Sequence, residues 1–254
     1  MKVYFTGMPL PAGEYMRLMK GRPVMYSFLY RHRSVWCDPA HFSSLALDSG
    51  AWSVWRGGAH VDIGEYADYC ARVEGQVAWY ANLDVIGDWR LGLSNLAFLE
   101  ARGLSPMPVF HAGEPWGLLD DLCLGYERVG LARGPGISRA RMWRMLDEVF
   151  RRYCDADGVP LVKFHGFRMT DRQIMARFPF DSVDSTTWIA GSAWDTLPTD
   201  AGRARGFSFL SGAQKADAWL SFFDCTPKAH QFAPFHGGLD KISKAAPVRS
   251  AYVS

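Results

Sequence analysis

Six polar side chains stand directly after short apolar runs. Asp48 follows 45–47, Asp84 follows 79–83, His111 and Glu114 follow 109–110, His165 follows 162–164 and Asp184 follows Val183. Carboxylates and imidazoles are the groups that attack electrophilic carbon, pass protons or hold divalent ions. Taken singly, an aspartate after a strand is usually a helix cap or a turn former. Several at once imply a shared pocket. Two segments are more specialised. In Leu45-Ala46-Leu47-Asp48-Ser49-Gly50-Ala51-Trp52, a strand runs into a carboxyl group, then a small turn that lets a ligand approach the backbone, then an indole, a layout suited to a flat ring. In Phe180-Asp181-Ser182-Val183-Asp184-Ser185-Thr186-Thr187-Trp188, a half-buried carboxylate is followed by hydroxyls, and needs hydrogen bonds to stay ionised.

The elements that position these groups follow from hydropathy. Eight apolar runs read as buried strands: 3–5, 24–26, 45–47, 77–80, 108–110, 129–131, 161–164 and 180–183. Between them lie stretches with helical spacing, clearest at 63–73, 89–101, 138–153 and 171–178. Strand alternating with helix demands crossovers, hence a mainly parallel sheet, closed or doubly wound. Eight strands favour a single-domain (β/α)8 TIM-type barrel over residues 1–254, with 220–254 as a C-terminal extension. In such a barrel the carboxyl ends of the strands share one face, where the six polar groups would converge.

The chain has 254 residues, 48% of them hydrophobic, enough to bury one large core. A formal net charge of +2 does not mark a strongly basic nucleic-acid binder, and it leaves room for a basic cleft. The start is broken by Gly7, Pro9 and Pro11 and reads as neither a secretory signal nor a membrane span, so a cytoplasmic protein without a membrane partner is expected. Five scattered cysteines (Cys37, Cys70, Cys123, Cys154, Cys225) without a C-x-x-C pair argue against a disulfide framework and a zinc ribbon.

The ordered motifs resemble the transglycosylase family that exchanges guanine for a 7-deazaguanine, known from queuine insertion into tRNA. Among its members the chain looks closest to the shorter ones, phage enzymes included, that act on DNA. Asp48-Ser49-Gly50 with Trp52 resembles the family's Asp-Ser-Gly-Gly-aromatic motif, of general acid/base and base-stacking ring. Ala81-Asn82-Leu83-Asp84 resembles the strand end whose aspartate holds the guanine edge. Pro108-Val109-Phe110-His111-Ala112-Gly113-Glu114 occupies the place of a polar base-binding turn, so that His111 and Glu114 join the pocket. Val129-Gly130-Leu131-Ala132-Arg133-Gly134 resembles the strand end whose backbone, here Gly130 and Leu131, reads the base. The segment ending in Asp184-Ser185 resembles the strand carrying the nucleophile.

The resemblance spans about residues 1–220 and implies a double displacement like that of retaining glycosidases. Asp184 attacks the anomeric carbon, Asp48 carries the proton, Asp84 accepts from guanine, and Trp52 stacks. The partners are a polynucleotide and a free 7-deazaguanine base. A duplex target must flip its base, at a few kcal/mol that phosphate contacts offset. Arg133, Arg139 and Arg144, with Arg31, Arg33 and Arg141, are the candidates for those contacts, set against a plain solvated helix face. The tRNA enzymes also carry a zinc subdomain. Here only Cys225, His230 and His236 are at hand, one ligand short, so no zinc or other cofactor is expected and the expectation shifts from tRNA to DNA.

Two rivals use the same residues. A metal-dependent hydrolase would employ Asp48, Asp84, His111, His165 and Asp184 as ligands to a divalent ion. A catalytically inactive relative would keep nucleic-acid binding alone.

Overall fold

The computed structural model describes residues 1–8, 10–32, 39–189, 196–199, 202–206 and 208–233. Strands β1 (Lys2–Thr6), β2 (Pro23–Ser27), β3 (Ser44–Asp48), β4 (Trp79–Tyr80), β5 (Val109–His111), β6 (Arg128–Ala132), β7 (Lys163–Gly166) and β8 (Ser182–Ser185) form one sheet, in which every described pairing is parallel. The order β4-β3-β2-β1-β8-β7-β6-β5 leaves β4 and β5 at its two margins. There a parallel bridge between Ala81 and Met107 joins them: Met107 N donates to Tyr80 O and Asn82 N to Met107 O, each at 2.8 Å. The expected (β/α)8 barrel is the fold.

The strands are short runs buried on both faces because helices cover the outside and side chains fill the inside. The helices are α1 (Ala12–Met19), α2 (Ala51–Gly57), α3 (Ile63–Val73), α4 (Trp89–Ala101), α5 (Trp116–Gly125), α6 (Arg139–Arg152), α7 (Arg172–Arg177) and α8 (Gly212–Cys225), with an antiparallel hairpin of β9 (Thr196–Thr199) and β10 (Gly202–Arg205) before α8. Five of them begin where side chains satisfy the orphan N–H groups of a first turn: Asp62 accepts from Glu65 N, Asp88 from Leu91 N, Ser138 from Arg141 N, Asp171 from Gln173 N and Ile174 N, and Ser211 from Gln214 N. Each such cap stabilises by about 1 kcal/mol. The extension expected from about residue 220 starts inside α8, whose Trp219, Leu220 and Phe223 are buried in the main core.

Register decides which residues face inward. Met25 pairs with Ala46 and Ala46 with Trp79; Val109 pairs with Gly130, Gly130 with His165 and His165 with Ser182. In a parallel sheet, partners in register point to the same face. Tyr4, Met25, Ala46, Trp79, Ala81 and Met107 accordingly form a small inner cluster, separate from the larger core between barrel and helices. Aromatic contacts run from Tyr4 to Trp79 (5.4 Å), Trp79 to His165 (4.5 Å) and His165 to Phe167 (4.6 Å). This plug fills the interior, as in other barrels, and leaves chemistry to the mouth.

Candidate active site

Two residues beyond the inner cluster, the inward register reaches the carboxyl end of the strands. There β3 ends on Asp48, in register with Ser27, while β5 ends on His111 and β8 carries Asp184. Asp84 follows β4. Asp48, Asp84, His111 and Asp184, 27 to 136 positions apart in sequence, thus meet at one end of the barrel, because parallel strands point the same way.

Asp48 is the most perturbed carboxyl group. Burial pushes its pKa up, the charges of Asp84 and Asp184 push it further, and the result is about 7. The Gly50 N–H, which donates to Asp48 Oδ2 at 3.2 Å, and the Ser27 hydroxyl offset only part of this. A carboxyl group raised this far towards neutrality suits a role that gives and takes a proton. Gly50 is required here: its φ of 92° lies in the left-handed region, and a Cβ would sit 2.9 Å from the Leu29 side chain.

Asp184 is 2% exposed. Its Oδ1 accepts from the Arg168 N–H at 2.7 Å and stands 3.6 Å from His165 Nε2, beyond hydrogen-bond range. His165 is fully buried, with Nδ1 2.9 Å from Ser182 Oγ; burial lowers its pKa below the usual value, so the ring is neutral. Across the mouth, His111 sits between two carboxylates, with Nε2 3.0 Å from Asp84 Oδ2 and Nδ1 3.0 Å from Glu114 Oε1. Glu114 Oε2 also accepts from His111 N at 2.8 Å. Burial opposes its protonation, but the hydrogen bonds to Asp84 and Glu114 outweigh burial and raise its pKa to about 9. The imidazolium fixes one oxygen of Asp84. A small pocket of about 20 Å³, lined by Asn82, Asp84, His111 and Glu114 among others, runs from this triad between α4 and α5.

Several buried polar atoms in and around this end have no hydrogen-bond partner among the described residues: Thr6 Oγ1, Ser49 Oγ, Asn82 Oδ1 and His165 Nε2. Each buried polar atom left unpaired costs about 1–3 kcal/mol, so such a group of them suits a site completed by a polar ligand or water.

Of the residues expected in the pocket, Asp48, Ser49, Gly50, Asp84, His111, Glu114 and Asp184 do gather at the mouth. Trp52 stands at its rim, 40% exposed, with the Arg168 guanidinium 4.6 Å from its ring centroid. Gly130 and Leu131 are not at the mouth surface. Gly130 N donates to Pro108 O at 2.8 Å and Leu131 O accepts from Phe167 N at 2.9 Å, so both groups belong to the barrel wall. Phe167 lies over Gly130, where a Cβ would come within 2.6 Å of its ring, and Leu131 points into the outer core. Arg133 bonds the Ile137 carbonyl, Arg139 pairs with Asp171 at 2.7 Å, and Arg31 pairs with Glu65 at 3.0 Å; Arg141 and Arg144 are exposed on α6. Arg33, Cys37 and His236 lie outside the described residues.

Sequence reading passed over Arg168 and Tyr66. Arg168 has φ 59°, the only positive value at a non-glycine among the described residues, and this conformation delivers its N–H to Asp184. Such strain costs on the order of 1–3 kcal/mol and clusters at functional sites. Tyr66 reaches from α3 to bond Ala81 O at 2.5 Å, and burial above all, with the charges of Cys70, Asp48 and Asp84, holds its hydroxyl protonated. Nothing in the spacing of either residue marks it.

Among the described residues, no cluster of three or more His, Cys, Asp or Glu side chains is arranged to hold a metal ion, and Cys225 is a free, exposed thiol. No helix among them is long and apolar enough to cross a membrane. The chain matches no protein-family model and no curated protein.

Proposed function

We propose that the chain exchanges guanine in a polynucleotide, DNA rather than tRNA, for a free 7-deazaguanine base. The observation that carries this reading is Asp48, poised near 7 by burial and by two neighbouring aspartates at one barrel mouth. A site with one protonated and one ionised carboxyl group is what a double displacement at an anomeric carbon requires.

In the first step Asp184 attacks C1′ of the sugar, the bond from C1′ to the guanine nitrogen breaks, and the proton of Asp48 passes to the departing base. An aspartyl-sugar ester holds the strand intact. In the second step the incoming base gives a proton back to Asp48, its nitrogen attacks C1′, and Asp184 leaves as a carboxylate. Both displacements balance without a cofactor. The Arg168 N–H on Asp184 Oδ1 stabilises the carboxylate before attack and after release. Asp84, with Oδ2 held by His111, offers its other oxygen to the ring N–H and amino group of guanine, a pairing that adenine cannot supply. The unpaired atoms Ser49 Oγ and Asn82 Oδ1 suit the polar rim of a purine.

The direct test incubates the protein with guanine-containing DNA or, separately, tRNA, adds radiolabelled guanine and counts label in polymer for wild type and Asp184→Ala. Label in DNA that disappears in the variant is the expected result. If neither polymer takes up label and the protein carries a stoichiometric divalent ion, base exchange is wrong and a metal-dependent hydrolase takes its place.

A further inference from the structure

Helix α2, directly beyond the Asp48 turn, carries a partly exposed aromatic face. Trp52, Val54 and Trp55 are 40, 37 and 44% exposed, and the two indoles, three residues apart on one helix face, lie 5.1 Å apart and 39° from parallel. Single exposed apolar residues are ordinary, whereas an adjoining pair of tryptophans beside a catalytic mouth is an interaction surface. Its surroundings are cationic. Arg168 and Arg56 lie 4.6 and 5.9 Å from the Trp52 ring centroid, α2 itself contains no acidic residue, and among the described residues no carboxylate pairs with either guanidinium.

Flat indoles beside unpaired guanidinium groups fit a ligand with open π faces joined by anionic links. An unpaired polynucleotide strand is such a ligand: its bases stack and its phosphates take the arginines. A purely apolar partner would leave both cations uncompensated, and a duplex keeps its base faces covered. Trp52 already carries Arg168 over its ring, so Trp55, whose only ring neighbour among the described residues is Trp52, is the indole left for a base. Arg168 also ties the patch to the chemistry, since its own N–H is on Asp184.

We propose that α2 is a stacking platform for unpaired bases, with Trp55 as its principal ring and Arg56 and Arg168 as its phosphate contacts. The role assigned to those bases, as neighbours of the exchanged nucleotide, rests on the base-exchange reading; the binding surface itself does not. The strand enters across α2, and the nucleotide beyond the platform drops into the mouth between Asp48 and Asp184.

The test is fluorescence anisotropy of a short labelled oligo(dT), which contains no guanine, against the full chain at low salt. Wild type should bind, Trp55→Ala should weaken binding by roughly 5- to 100-fold, and Trp55→Phe should restore most of it. Arg56→Gln should weaken binding and flatten its salt dependence. Annealing the probe to oligo(dA) should reduce affinity. Trp55 lies outside both buried core clusters, so its truncation leaves the core intact, and circular dichroism checks this. Equal affinity of Trp55→Ala and wild type, no oligo(dT) binding by wild type, or a preference for duplex would each overturn the platform. Trp55-dependent oligo(dT) binding by a protein that exchanges no guanine would keep the platform and reject the base-exchange reading.

Discussion

The two strand-end histidines, His111 on β5 and His165 on β7, are both buried, 3% and 0% exposed, yet they carry opposite charge states. His111 has a carboxylate at 3.0 Å on each ring nitrogen, and its pKa rises to about 9. His165 has a hydroxyl at 2.9 Å on one side and a carboxylate no nearer than 3.6 Å on the other, and burial holds it neutral. Burial alone disfavours the imidazolium in both cases; short hydrogen bonds to carboxylates reverse that preference only where there are two. The consequence is a division of labour. The His111 side of the mouth is an ion-paired, fixed framework, and on the His165 side Asp184 faces a neutral ring and is held by the backbone N–H of Arg168.

The largest expected effect comes from the group between those two sides. Asp48→Asn removes the proton carrier and should slow base exchange by about 10²- to 10⁴-fold. In wild type the step in which guanine departs should weaken as pH rises through about 7, where Asp48 loses its proton, and that limb should vanish from the residual rate of the variant. Stability also falls with rising pH, over a lower range. A folded pKa of about 7 lies above the ordinary 3.8, so the unfolded chain releases this proton first and Asp48 burdens the fold increasingly up to pH 7. At pH 8 Asp48→Asn should therefore be more stable than wild type, on the order of 2–4 kcal/mol by denaturant unfolding. Equal or lower stability there would remove the case for a buried, proton-holding Asp48.

The histidines themselves should show opposite slopes. Because the folded pKa of His111 is raised, its contribution is complete below the ordinary histidine value of 6.5 and is lost as pH rises through about 9. Unfolding free energy measured between those limits should fall by on the order of 2–3 kcal/mol more in wild type than in His111→Gln. For His165 the folded pKa is lowered, so its contribution is complete above 6.5 and is lost on acidification. His165→Gln should flatten the acid side of the same curve. If both variants flatten the same side, the contrast between the two rings is wrong.

Much of this was legible in the sequence. All eight strands lie within about two residues of the expected runs, because strands buried on both faces read as plain apolar runs. The helices 63–73 and 89–101 were expected from their helical spacing and lie at those bounds, where Asp62 and Asp88 cap them. The convergence of Asp48, Asp84, His111 and Asp184 followed from strand polarity alone. What did not follow was orientation. Gly130 and Leu131 lie on a strand as expected, but only tertiary packing puts Phe167 over the first and the outer core around the second. Arg168 gives no signal at all, since a left-handed arginine is set by the turn that carries it to Asp184 and not by its own preference.

That turn supplies the smallest expected effect. Arg168→Gly keeps the N–H donated to Asp184, relieves the positive φ and deletes the guanidinium from Trp52. The two changes oppose each other, so unfolding free energy should shift by less than about 1 kcal/mol. A large loss would mean that the guanidinium, and not the backbone, holds the Asp184 side together.

The central claim is that Asp184 becomes covalently bonded to the sugar. The most direct measurement mixes the protein with guanine-containing DNA, quenches with denaturant, separates protein–DNA adduct on a denaturing gel and maps the modified peptide by mass spectrometry. The account predicts an adduct on Asp184 that is released by added free base and is absent in Asp184→Asn. An adduct on another residue, or base exchange that persists in Asp184→Asn, would contradict it.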